Sequence, residues 1–146
     1  MLRILMNAYA VSPGMGSEPG MGWNWCVNLA RHSELHIITE GEFRPQIEAT
    51  VPILEQGRNM HFYYNPVTEK VRRMCWNQGD WRFYHYYKRW QKKTAEMARE
   101  ICKRERIDIL HQQAGKRCLH IWPIFSIRGL SFISIWGTRK NIGSHT

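Results

Sequence analysis

The stretch Ser12-Pro-Gly-Met-Gly-Ser-Glu-Pro-Gly-Met-Gly-Trp23 carries the residue types best suited to chemistry in this chain. Glycines at 14, 16, 20 and 22 surround a Ser17-Glu18 pair. The run follows a short apolar segment, Leu2 to Tyr9, and precedes a helical pattern. A strand, a glycine-rich turn and a helix N-terminus make a generic anion site. Bare N–H groups and the positive end of the helix dipole face the ligand, and glycine leaves it room. A phosphate or sugar phosphate is the ligand class this implies. The spacing alone is a weak signal. It is neither G-x-x-x-x-G-K-[ST] nor G-x-G-x-x-G, which argues against a P-loop NTPase, and no acidic residue about twenty positions on sits at a convincing second-strand end. A tight strand-to-helix turn with no ligand accounts for the same residues equally well.

The elements that must position this loop are legible in outline. Arg3 to Tyr9 reads as a buried strand, a continuous apolar run of the kind parallel sheets use. Ser17 is the expected N-cap of the first helix, with Glu18 and Pro19 in its first turn. Met21, Trp25 and Leu29, with Cys26 and Ala30 beside them, mark its expected apolar face. Glu34 to Thr39 is a second strand, so the unit is βαβ and the sheet parallel with a right-handed crossover. Arg44 to Leu54 suits a helix interrupted near Pro52, and Asn59 to Tyr64 a third strand stopped by Asn65-Pro66. Residues 67–79 read as irregular. A long helix is expected from Asp80, as N-cap, to about Arg106, with Phe83, Tyr87, Trp90, Thr94, Met97 and Ile101 as its apolar stripe. Ile107 to His111 is a fourth strand. The expected fold is therefore α/β, a Rossmann-like parallel sheet with flanking helices.

Composition bounds the remaining options. A chain of 146 residues with 43% apolar content suffices for one domain with a real core. No run approaches the roughly 18 apolar residues of a membrane span. The N-terminus lacks a secretory h-region and cleavage site, so a cytoplasmic protein is expected. Cys26, Cys75, Cys102 and Cys118 are scattered without a C-x-x-C pair, which favours buried free thiols over zinc or redox chemistry at cysteine. Charge is uneven: residues 1–66 carry four Arg against six Glu, whereas residues 67–146 carry seventeen Lys/Arg against six Asp/Glu, for a net +9 overall. A basic half rich in aromatics suits an anionic membrane surface or nucleic acid; a solvated helix face suits it as well. Nucleic acid is the weaker option, because the aromatics repeat at core spacing. After Asp108 no acidic residue occurs, and Ile121 to Ile135 is apolar but fits neither helix nor strand period.

Several blocks together resemble the N-terminal lobe of bacterial glycosyltransferases of family 4. They are Leu2–Met6, Ser12–Trp25, Leu29-Ala30-Arg31, Thr39–Glu42, Gln78-Gly-Asp-Trp-Arg-Phe-Tyr84 and Asp108-Ile-Leu-His-Gln112. The Ser-Glu-Pro-Gly-x-Gly-Trp and Gln-Gly-Asp-Trp-Arg blocks are specific to one branch. The resemblance implies a GT-B architecture with two Rossmann-like lobes facing across a cleft. It also implies retaining glycosyl transfer from a nucleotide-sugar to a saccharide or lipid-linked acceptor, without a catalytic metal or further cofactor. Carried over by position, Gly14 and Gly16 approach the donor phosphates, and Ser17 and Glu18 line the loop. His111 takes the catalytic position facing the sugar, and Glu40 and Gln112 lie on the acceptor side. The competing readings are a strand-end histidine satisfied by backbone for His111 and a solvated loop carboxylate for Glu40. Gln78-Gly-Asp-Trp is better read as a helix start capped by Asp80 than as an acceptor loop.

Two features depart from the family pattern. The family's Trp-Gly-Pro-x-Gly-Gly segment survives only as Ile135-Trp-Gly-Thr-Arg-Lys-Asn141, and no second lobe follows. The expected organisation is a lobe over 1–113 and an atypical, frame-disrupted tail over 114–146, with the C-terminal donor-binding lobe absent and no transfer by this chain alone. Peripheral attachment at the inner face of the membrane is compatible with this ancestry.

Overall fold

The chain alternates strands and helices. In a computed structural model, which describes residues 1–76, 81–113 and 131–134, the elements are β1 (Leu2–Ala8), α1 (Ser17–Leu29), β2 (Ser33–Thr39), α2 (Arg44–Thr50), β3 (Met60–Tyr64), α3 (Glu69–Trp76), α4 (Arg82–Arg104), β4 (Ile109–Gln113) and β5 (Ser131–Ser134). The strands form one all-parallel sheet in the order β3-β2-β1-β4-β5. This is the expected α/β, Rossmann-like architecture. Strand order reverses between β1 and β4, the place where open parallel sheets leave a crevice at their carboxyl ends.

Both faces of the sheet are covered, which is why its strands are nearly continuous apolar runs. Ile4, Met6 and Ala8 of β1 pack with Cys26 of α1, Ala30 just after it and Ile47 of α2. Leu5, one residue out of phase, packs on the other face with Ala98 and Ile101 of α4 and Leu110 of β4. Each fully buried Ile or Met stabilises by about 1.5–3 kcal/mol at most. A one-residue register slip would expose the whole set, so β1 has a single compatible pairing.

Four local expectations differ from what forms. Residues 69–76 are helical, not irregular. Thr68 Oγ1 accepts the Val71 N–H at the start of that helix. β4 runs from Ile109 to Gln113, where the expected strand is Ile107 to His111: Asp108 precedes it, its N–H donating to Arg3 O and its carboxylate accepting the Arg3 N–H, and the pairing with β1 continues to Gln113 opposite Ala8. Ser131–Ser134, inside a stretch with no clean period, adds a fifth strand beside β4, so residues beyond 113 share the sheet of the first lobe. The remainder of 114–146 and Asp80 lie outside the described residues, and the N-cap position of α4 falls on Trp81, not on Asp80 as expected.

On α4 the expected stripe is present over Tyr87, Trp90, Thr94 and Ile101, which are buried, and Met97, which is half-buried; the Phe83 side chain lies outside the described residues. Gln91 joins it, donating to Tyr87 Oη and accepting from Asn7 Nδ2 of β1 at 2.7 Å. No described helix is long and apolar enough to cross a membrane.

Candidate functional site

The glycine loop opens at the carboxyl end of β1, beside the switch point. Gly14 and Gly16 are exposed, and a Cβ at either would meet nothing within 4 Å. Gly14 has φ +73°, a conformation open to glycine at little cost. Ser17 shares the left-handed region at φ +58°, and such a residue costs of order 1–3 kcal/mol unless its surroundings impose it. The N-cap position falls on Gly16, not on Ser17 as the sequence suggests, and no side chain caps the helix. With a positive φ, Ser17 cannot take the extended N-cap conformation that would aim its hydroxyl at the following N–H groups. Among the described residues, the N–H groups of Gly14, Met15 and Gly16 take part in no loop or cap hydrogen bond. Gly14, Met15 and Gly16 are exposed just ahead of the N-terminus of α1.

Gly20 and Gly22 behave differently. Both are buried, and each marks a close backbone approach. A Cβ on Gly20 would lie 1.9 Å from Met15 O, and one on Gly22 would lie 2.8 Å from Ala10 O and about 3.1 Å from the Gln113 amide. Gly20 thus seats the helix against its own loop and Gly22 against Ala10 and Gln113, while Gly14 and Gly16 keep the loop open.

The expected face of α1 holds in part: Cys26 and Ala30 are buried and Leu29 packs against the core, whereas Met21 and Trp25 turn outward. Pro19, Gly20, Gly22, Trp23 and Cys26 point inward, with Trp23 stacked on Phe62 at 6.4 Å between ring centres. Met21 is 50% exposed and Trp25 36%, and with Met15 they line an open groove of about 520 Å³ together with Gly16, Ser17, Asn24 and Asn28. The apolar row that resembles a core stripe is therefore a wall of the candidate site. The signal for this in the sequence is the small-residue row Gly20–Gly22, which lets a helix bury its backbone in place of large side chains.

His111 lies inside β4, opposite Met6 of β1, and not at the strand end. It is 7% exposed, and its ring faces the Trp25 ring at 6.1 Å and 29°. Burial pushes its pKa below the ordinary histidine value, so it is neutral at pH 7. Gln112 points to the opposite face, paired in register with Asn7. Its Oε1, together with Asn7 Oδ1 and both amide atoms of Gln113, is buried without a hydrogen-bond partner. Unpaired buried amides are uncommon and mark a place where a ligand or water fits. Gln113, beside Gly22 at the switch point, is the residue that the sequence reading overlooked. It directly follows the Asp108–Gln112 block.

Glu18 is half-buried in the first turn of α1, and burial raises its pKa. A carboxyl group there suits sugar hydroxyls better than phosphate. Glu40 is only 3% exposed, so the solvated reading of it is incorrect. Its carboxylate accepts from the Glu42 and Val67 N–H groups and from Arg72 Nη2 at 3.0 Å. Its backbone N–H donates to Tyr9 O, which also accepts the Thr39 hydroxyl. Glu40 thus stitches the carboxyl ends of β1, β2 and β3 together and stands apart from the groove.

The two buried histidines set a pH dependence. His111 and His36 both have pKa values lowered by burial, His36 also by its neighbour His61. The unfolded chain then binds protons near its ordinary value of about 6.5 while the folded chain does not. Stability is complete above that pH and declines as pH falls below it, by at most about 1.4 kcal/mol per pH unit for each group. A thermal melt series from pH 8 to 5 should show this decline, shallower in His111→Gln; equal slopes in both chains would contradict the assignment.

Comparison with protein-family models, with curated proteins and with solved structures found no match for this chain.

Proposed function

We propose that this chain is the acceptor-side lobe of a retaining, nucleotide-sugar-dependent glycosyltransferase of family 4. The observation that carries the reading is the exposed Gly14–Ser17 loop, with unengaged amides and two positive-φ residues, at the switch point of a parallel sheet. A diphosphate leaving group gains negative charge as the glycosidic bond breaks, and preorganised N–H donors at a helix start stabilise that charge. In this reading the amides of Gly14 and Gly16 contact the donor phosphates, and Ser17 and Glu18 contact sugar hydroxyls. Neutral His111, backed by Trp25, faces the sugar, and Gln113, two residues on along the same face, offers its amide group beside it, whereas Gln112 faces the other side of the sheet. Glu40 holds the loops in register and does not touch the acceptor.

The test is an NMR titration with UDP- and GDP-sugars. Millimolar donor should shift the Gly14, Gly16 and Ser17 amides, and Gly16→Val, which fills the approach, should abolish the shifts. Unmoved loop amides at saturating donor would overturn the proposal. The 146-residue polypeptide alone is expected to give no product from labelled nucleotide-sugars, since in family 4 a second lobe holds most of the donor.

A second reading rests on the outer face of α4. Trp81 is 79% exposed and Tyr84 43%, next to exposed Arg82, Lys88, Arg89, Lys92 and Lys93. Aromatic and basic side chains on one face suit an anionic membrane surface. Co-sedimentation with vesicles should then rise with phosphatidylglycerol content and fall with salt. Binding that ignores lipid charge would remove this reading.

A further inference from the structure

Two histidines and a glutamate converge on the half of the sheet away from the glycine loop. His36 of β2 lies opposite His61 of β3 in the parallel register. Glu34, two residues before His36, projects from the same face. Glu34 Oε1 is 3.2 Å from His61 Nε2 and 3.9 Å from His36 Nε2. One donor atom from each of the three residues falls within 4.8 Å of the others. Ligand atoms bound tetrahedrally to zinc at about 2.0–2.1 Å are themselves about 3.3 Å apart, so only small side-chain shifts separate this cluster from a coordination sphere.

The surroundings are those of a metal site. His36 is 2% exposed, and its Nε2 is buried with no hydrogen-bond partner. At 3.9 Å the Glu34 oxygen is too far to accept a proton from it. The other ring nitrogen, Nδ1, lies 3.1 Å from Tyr63 Oη. With the Nδ1 proton given to that oxygen, the Nε2 lone pair faces a carboxylate. In that tautomer two acceptors are turned toward each other, an arrangement that a cation between them would satisfy. Arg3 Nε donates to Glu34 Oε2 at 2.8 Å, which orients the carboxylate and leaves Oε1 as its ligating atom. The His61 side chain is 43% exposed, which leaves solvent access for a water as fourth ligand. Other charges nearby are Glu105 and Arg104 at the end of α4, the latter over the Tyr63 ring at 5.9 Å. Burial and the neighbouring His61 keep His36 below the ordinary histidine pKa, and the neutral ring is the ligating form.

We infer that Glu34, His36 and His61 form a binding site for a divalent transition cation, zinc by the chemistry of its ligands, that ties β2 to β3. The site is separate from the glycine loop and stands whether or not nucleotide-sugars bind there.

Competition between the full chain and a chromogenic chelator for Zn²⁺ measures the affinity. One equivalent should bind, and the His36 and His61 ring nitrogens should shift in NMR spectra as it does. Tyr63→Phe, which removes only the outer hydrogen bond, should weaken binding about 10-fold to 100-fold. His61→Gln, at a part-exposed position, should weaken it further with the fold intact. Co²⁺ in place of Zn²⁺ should give a spectrum without thiolate charge transfer, which separates the site from the four cysteines. Equal zinc affinity in Glu34→Gln/His61→Gln, ring nitrogens unmoved at saturating zinc, or no uptake by the parent chain would overturn the inference.

Discussion

Gly20→Ala is expected to destabilise this chain by about 3 kcal/mol or more, at the upper end of overpacking costs. The added Cβ would stand 1.9 Å from Met15 O and 2.9 Å from the carbonyl carbon behind it. The obstacle is backbone, so no side-chain rotation relieves it. The loop cannot simply withdraw, because the Ser12 N–H donates to Pro19 O at 3.0 Å and closes the segment on itself. Either α1 lifts from the sheet, uncovering Trp23 and Cys26, or the loop refolds and loses the outward amides of Gly14 and Gly16. Gly16→Ala is the matched control: its Cβ has open space and its φ is −83°, so it should cost only about 1 kcal/mol as an N-cap change. Urea unfolding of the two variants should therefore give well-separated midpoints. Coincident midpoints would mean that Gly20 does not sit against the Met15 carbonyl. The same pair separates fold from function, since only Gly16 variants change the ligand approach while leaving the helix seated.

The parallel sheet was legible because its period and its punctuation agree. Leu2–Ala8, Ser33–Thr39 and Met60–Tyr64 are short apolar runs closed by turn residues, and the linking segments have helical length. The loop was legible because glycine density is a local property. The inward face of α1 was legible only at Cys26, Leu29 and Ala30, because its first turns pack through backbone at Gly20 and Gly22. A hydrophobicity pattern gives weight to Met21 and Trp25, whereas the packing surface is Gly20, Gly22 and Trp23. Glu40 was misjudged for a related reason: its partner Arg72 is 32 residues away on α3, a helix in the stretch read as irregular. The Glu34–His36–His61 cluster joins two strands through register, which no single-strand pattern exposes. What sequence periodicity supplies is the side of an element. What it lacks is which neighbour meets that side, and every feature missed here depends on that.

Glu40→Ala should cost about 3 kcal/mol, low in the range for breaking a buried pair because Arg72 stays 26% exposed and can rehydrate. The loss is shared among groups left behind. The N–H groups of Glu42 and Val67 each lose an acceptor, and Arg72 loses its closest carboxylate, with Glu42 at 3.8 Å a poor substitute. Glu40→Gln keeps one carbonyl acceptor and the side-chain shape, so it should cost roughly half as much. Replacing both Glu40 and Arg72 by apolar residues of similar volume should cost less than Glu40→Ala alone, since no buried charge is then unmatched. Denaturant midpoints for the three variants give this order directly, and a midpoint for Glu40→Ala equal to that of the parent would refute it. The consequence reaches beyond stability. Glu40 N–H and Thr39 Oγ1 both donate to Tyr9 O, and Tyr9 packs edge-on against Trp90 at 4.9 Å, so the carboxylate anchors the residue from which the glycine loop departs. Glu40→Ala should therefore also broaden the amide resonances of Gly14 and Gly16, although Glu40 touches neither. A residue can thus belong to a site by fixing where its loop begins.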